Sequence, residues 1–190
     1  MSEQLRLVLA SRSPQRETIL SRLGLKFEVI PSGVDELEAG EPRDVVVENS
    51  LLKARTVAAQ LDDPSALVLG ADTVIVHDGD VIGKPRDAAQ AAEFMRRLSG
   101  QQHQVLGGLA IIGPDDRQRS AVTATTVSFR RLSAEQIDLY VTTGEWQDRS
   151  GAYAIQQGGS ILVERIEGDY LNIIGMSVND LARLAPELLG

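Results

Sequence analysis

The chain has no cysteine, which removes disulfides, thiolate metal sites and a cysteine nucleophile from consideration. Aromatic residues are scarce at 4%, and the only two histidines, His77 and His103, have no paired ligand spacing, so a zinc site is not expected. Both fall in stretches that read as turns. Walker-A and GxGxxG patterns are missing, as is a Ser-His-Asp arrangement. No apolar run approaches membrane-spanning length, and the first ten residues, MSEQLRLVLA, lack the basic-then-apolar build of a signal peptide. A cytoplasmic protein with no membrane partner is therefore the expectation. Positive charge is the minority sign, 19 basic against 27 acidic residues with a net charge of −8, which argues against a broad nucleic-acid surface. It leaves room for one small anionic ligand held by a few cations. Lysine is rarer still: only Lys26, Lys53 and Lys84 are present, and the other basic residues are arginines. Lysine and arginine are not interchangeable where a compact point charge is needed, so the positions of these three matter.

What is present reads as alternating strands and helices over 190 residues, taken as one domain, 1–190, with either one core or two small lobes sharing a cleft. LRLVLA (5–10) predicts a buried strand. Ser13 suits an N-cap, Pro14 the first helical position and Gly24 the residue just past the helix end. FEVIPSG (27–33) predicts a strand and turn, and residues 43–61 a helix. A DDPS turn (62–65) precedes a strand over 67–76. His77-Asp-Gly-Asp80 signals a hairpin, and a helix follows over 87–98. Two strands flank a DDR turn at 115–117. Ser133 with Gln136 forms a capping-box pattern opening a helix to about Val141. GEWQDRSGAYAIQQGG is turn-like, ILVERIEG a strand, and Ser177–Leu188 a last helix. The class is α/β with a mixed sheet.

Several residues could carry chemistry. Arg12 and Arg16 sit at the start of the first helix, where the dipole disfavours cations. Either they point to solvent, or an anion at the helix amides reverses the interaction. Asp72 interrupts an apolar strand; it caps a turn if Gly70-Ala71 breaks that strand, and needs a partner or metal if it is buried there. Asp35 and Glu36 make either a solvated acidic loop or, beside Asp72, a hard-cation site. Lys53 is an exposed helix position or a cleft residue, and Lys84 follows a strand before Pro85. Gln156 could read a base edge or be a polar loop residue.

Taken in order, SxSPxR, VDE, the helical Lys53-Ala54 pair, GADT, GKPxD, LSGxxHxV, GAYxIQ and IxGxY resemble the Maf family over nearly the whole chain. The resemblance implies an inosine-triphosphate-pyrophosphatase-like fold: a mixed twisted sheet with flanking helices, in two lobes around a central cleft. It implies cytoplasmic hydrolysis of a nucleoside triphosphate between its α and β phosphates, with Mg²⁺ or another divalent ion such as Mn²⁺, in a homodimer. Asp72 resembles the family's proton acceptor and Glu36 the second acidic residue, both toward a metal. Ser13, Arg16, Lys53 and Lys84 match positions around the triphosphate. Gln15, Thr73 and Gln156 match positions that choose the base; Thr73 and Gln156 are like the dTTP/UTP subgroup, whereas Gln15 stands where that subgroup has arginine. Arg149-Ser150 and Met176-Ser177 also depart from the usual pattern. Ala154 and Gln157 replace glycines, and a backbone with positive φ there would strain them. The family's association with septum formation leaves a nucleotide-binding regulator of cell division as an alternative. A 7-methyl-GTP-type pyrophosphatase is another.

Overall fold

The computed structural model describes residues 5–189 apart from 62, 64, 115 and 116, so the turns expected at 62–65 and 115–117 lie partly outside the described residues. The elements are β1 (Leu7–Leu9), α1 (Pro14–Arg22), β2 (Glu28–Val29), α2 (Pro42–Leu61), β3 (Leu67–His77), β4 (Asp80–Ile82), α3 (Ala88–Leu98), β5 (Gln102–Ile112), β6 (Gln118–Phe129), α4 (Ala134–Thr142), β7 (Val163–Glu167), α5 (Tyr170–Ile174) and α6 (Val178–Leu184). The strands form one mixed sheet in the order β2–β1–β3–β5–β6–β7, with β4 added to β3. Parallel pairs join β1 to β2 and to β3, and antiparallel pairs join β3 to β4 and β6 to β7.

Local chemistry accounts for most boundaries. Helix α1 ends as expected: the Gly24 N–H donates to Ser21 O and the Leu25 N–H to Leu20 O, the paired bonds of a Schellman turn. Ser133 and Gln136 make both halves of the capping box on α4. The last helix is shorter than expected. It stops at Leu184, because Pro186 disfavours helical geometry in Ala185, and residues Pro186–Leu188 form a separate 3-10 turn. The short α5 has no counterpart in the sequence reading, and β2 covers only two residues of the stretch expected at 27–33.

The chain divides into two compact units, one of Met1–Asp72, Gly107–Thr123 and Gly175–Gly190, the other of Thr73–Leu106 and Ala124–Ile174. In the first, α2 places Leu51, Ala54 and Val57 against Val8, Val68 and Ala110 of the sheet. This contact is unusually close. A Cβ at Gly70 would lie 2.1 Å from Ser50 O, and one at Gly108 2.2 Å from Val46 O, so only glycine lets α2 approach the sheet this far.

The second unit has its own core around Met95, Leu98, Val127, Phe129 and Leu162. It also corrects the reading of the two histidines. Both are buried in strands, His77 at the end of β3 and His103 in β5. His103 packs edge-on against Phe129 and Tyr153, and its Nε2 lies 2.9 Å from Tyr153 Oη. Burial, with a smaller contribution from His77, pushes the His103 pKa down to about 4.

Candidate active site

The first unit gathers four of the residues singled out above. Strand β3 continues through Gly70 and Ala71 without a break, which rejects the turn-cap reading and leaves Asp72 inside the strand, 5% exposed. Strand β1 pairs with β3 only as far as Leu9 opposite Leu69, so Asp72 lies just past the end of its parallel neighbour. In α/β sheets, that is where ligand crevices open.

Helix α2 supplies Lys53, which is buried, not exposed. Its ammonium has three hydrogens and three acceptors: Glu36 Oε1 at 2.7 Å, Asp72 Oδ1 at 2.9 Å and Ala71 O at 3.4 Å. One lysine thus joins two carboxylates from distant parts of the chain. Asp72 and Lys53 form a buried pair, whereas the Glu36 side chain is half exposed on its loop. Asp35, its neighbour, is exposed.

Arg16 completes the group. It is buried at the start of α1, with Nε donating to Gly175 O and Nη1 to Ser11 Oγ, each at 3.0 Å. Burial pulls its pKa below the ordinary arginine value, and the charges of Asp72 and Glu36 partly offset this. The cation at the positive end of the dipole is therefore held by a carbonyl, a hydroxyl and the field of two acids. Arg12 is exposed. Ser13 occupies the N-cap position without capping through its side chain; its hydroxyl donates instead to Gln15 Oε1 at 2.9 Å. Thr73, Lys84 and Gln156 belong to the second unit; Thr73 is half-buried and the other two are exposed.

A scan with the sequence profile of Maf-like proteins matches residues 6–188. The chain belongs to the Maf family. Among its relatives are a dTTP/UTP pyrophosphatase of Moorella thermoacetica, 46% identical over 94% of this chain and 93% of the relative, and one of Dictyoglomus thermophilum, 41% identical over 96% and 95%. Among solved structures, a HAM1 protein from Coxiella burnetii aligns over 84% of this chain and 91% of its own, with 20% identity and a TM-score of 0.50; the likeness concerns fold alone.

Against the Maf pattern, the two glycine replacements carry no backbone strain. Gln157 has φ −123°, and among the described residues the non-glycine positions with positive φ are Asp78, Asp148 and Ala152. One residue of this candidate site escaped the sequence reading. Asn49, on α2 and 2% exposed, accepts from Leu37 N–H at 2.7 Å and donates to Leu37 O and Asp72 Oδ2, each at 3.1 Å. It ties the backbone beside Glu36 to Asp72. The available signal was its spacing, since Asn49 and Lys53 are four residues apart and share one helix face.

Proposed function

We propose that this protein hydrolyses dTTP and UTP between the α and β phosphates, releasing the nucleoside monophosphate and pyrophosphate. The observation that carries the reading is the Lys53 ammonium shared by Asp72 and Glu36, with Arg16 in their field. The names of relatives 41–46% identical over nearly the full chain supply the substrate class.

In this reading a water attacks the α-phosphorus, the bond from that phosphorus to the bridging oxygen breaks, and pyrophosphate leaves. Asp72 takes the water's proton. Its Oδ1 is bonded to an ammonium and its Oδ2 to a neutral amide, so Oδ2 is the more basic oxygen and the one that receives the proton. Lys53 and Asn49, one on each oxygen, fix the carboxylate in rotation. Ser13, Arg16, Lys53 and Lys84 are assigned to the triphosphate, where charge neutralisation and positioning dominate the chemistry. Gln15, Thr73 and Gln156 are assigned to the base. All of these phosphate and base assignments rest on the family resemblance.

The donor set also fits a hard divalent cation. Among the described residues there is no group of three or more His, Asp or Glu that could form an all-protein cage. Mg²⁺ does not need one: it takes one or two carboxylates and completes its shell with waters and phosphate oxygens. Glu36, half exposed, and Asp72 would hold it, and the ion would supply charge neutralisation on the phosphates. A cytoplasmic homodimer belongs to the same proposal and rests on the family resemblance. Among the described residues no helix is long and apolar enough to cross a membrane.

A substrate panel with products identified tests this. With dTTP, UTP, CTP and 7-methyl-GTP, the expected result is monophosphate and pyrophosphate from the first two, with kcat/KM about tenfold or more above the others. Excess EDTA is expected to abolish turnover, and Mg²⁺ or Mn²⁺ to restore it. Preference for 7-methyl-GTP would overturn the base assignment, orthophosphate as product the reaction type, and full activity in EDTA the metal.

A further inference from the structure

Residues 153–159 contain Gln156 at an exposed turn, with its neighbours tied down from three directions, all within the second unit. The Ala154 N–H donates to Tyr140 Oη at 3.0 Å. Tyr153 Oη meets His103 Nε2 at 2.9 Å. On the far side of Gln156, the Glu145 carboxylate accepts from two successive backbone amides, Gly158 N–H at Oε1 and Gly159 N–H at Oε2, each at 3.2 Å. Bonds from backbone amides to a charged acceptor are stronger than neutral ones, and two acting together fix the orientation of the turn as well as its position.

The surroundings are built to keep Glu145 there. It lies three residues past the end of α4, and its own N–H donates to Thr143 Oγ1 at 3.2 Å. Next to it, buried Trp146 donates from Nε1 to Val141 O at 2.9 Å, anchoring the chain that carries the carboxylate. Space is tight at both amide donors, and at Gly159 the obstacle is backbone. A Cβ at Gly159 would stand 2.6 Å from Ala154 O, and one at Gly158 would stand 3.1 Å from both Glu145 oxygens. The turn therefore closes on itself only with glycine at 159, while a side chain at 158 would press on the carboxylate end of Glu145.

We infer that Glu145 is a positioning residue for base selection: its carboxylate holds the Gly158-Gly159 amides and so fixes Gln156 in the orientation that reads the pyrimidine. This rests on the dTTP/UTP reading above, with Gln156 as the base contact. Glu145 does not touch the nucleotide; it acts through the backbone.

The test compares wild type with Glu145→Ala and Glu145→Gln on dTTP and CTP, alongside inhibition by inorganic tripolyphosphate, a probe with phosphates and no base. For Glu145→Ala the dTTP-to-CTP ratio of kcat/KM is expected to fall about tenfold, through a higher KM for dTTP with kcat nearly retained. Inhibition by tripolyphosphate is expected to stay at the wild-type level. Glu145→Gln, which keeps one acceptor oxygen, is expected to recover part of the ratio, and decides the matter if the alanine variant does not fold. An unchanged ratio in a folded variant overturns the clamp. So does an equal loss of tripolyphosphate inhibition, which would mark a general structural role. A wild-type protein that releases no pyrophosphate from dTTP or UTP overturns the underlying function itself, a failure visible before any variant is made.

Discussion

Asp72→Asn is expected to lower kcat about a thousandfold or more, the upper range for loss of a general base, while nucleotide binding survives. An amide in place of the carboxylate keeps the shape of the side chain and removes its capacity to accept the water's proton. The environment makes the substitution more demanding than it looks. Asp72 faces two donors, Lys53 Nζ and Asn49 Nδ2, and an amide has only one acceptor atom. Asn49 cannot turn over to help, because both ends of its amide are engaged with Leu37. In either orientation an N–H group is set against a donor, at a cost of about 1–3 kcal/mol in stability. The assay therefore belongs well below the variant's own unfolding midpoint, with binding measured on the same sample. Near-normal pyrophosphate release from the folded variant would remove Asp72 from the proton transfer.

Lys53→Met is expected to destabilise the protein by about 3–5 kcal/mol, read as a lower urea midpoint, and to abolish activity as well. The argument rests on burial. Lys53 and Asp72 side chains are 8% and 7% exposed, so removing the ammonium leaves a carboxylate with no countercharge bonded to it in a poorly solvated place. Methionine keeps most of the volume, which separates loss of charge from loss of packing. The decisive comparison is the double variant Lys53→Met/Asp72→Asn. With the carboxylate gone, nothing charged is stranded, and an amide at position 72 can accept from Asn49 without opposing a second donor. The double variant is expected to be more stable than Lys53→Met alone. Simple additivity of the two single losses would refute a buried pair and reduce the contact to packing.

Where local chemistry decides structure, the sequence was a reliable guide. Pro14 and Gly24 bound α1, Ser133 and Gln136 open α4, and His77 pairs with Asp80 across the expected hairpin. Errors arose where tertiary packing decides. The two histidines read as turn residues because imidazole is polar, yet the sheet buries them among Phe129 and Tyr153 or at the strand end. Pro186 was passed over inside an apparently periodic stretch, and α5 spans too few residues to show a period. The site divides in the same way. Asp72 was legible as an acid in an unusual place, whereas Glu36 was one of two loop acids until the family resemblance singled it out. The burial of Lys53 was not, because a lysine inside a helix reads as solvent-facing until its partners, 17 and 19 positions away along the chain, are brought to it. Asn49 was overlooked for a related reason: asparagine in a helix interior is a poor helix former whose purpose shows only when its partner on another segment is known.

The glycines at 70 and 108 constrain anyone who would engineer this protein. Replacing glycine by alanine is a standard way to raise thermal tolerance, since it narrows the conformational range of the denatured chain. Here the added methyl groups would wedge the α2 backbone outward at Val46 and Ser50, the turns that carry Asn49 and Lys53. A change meant to harden the protein would instead lengthen the charge contacts at Asp72, so thickness between helix and sheet is a quantity that a redesign of this scaffold has to leave alone.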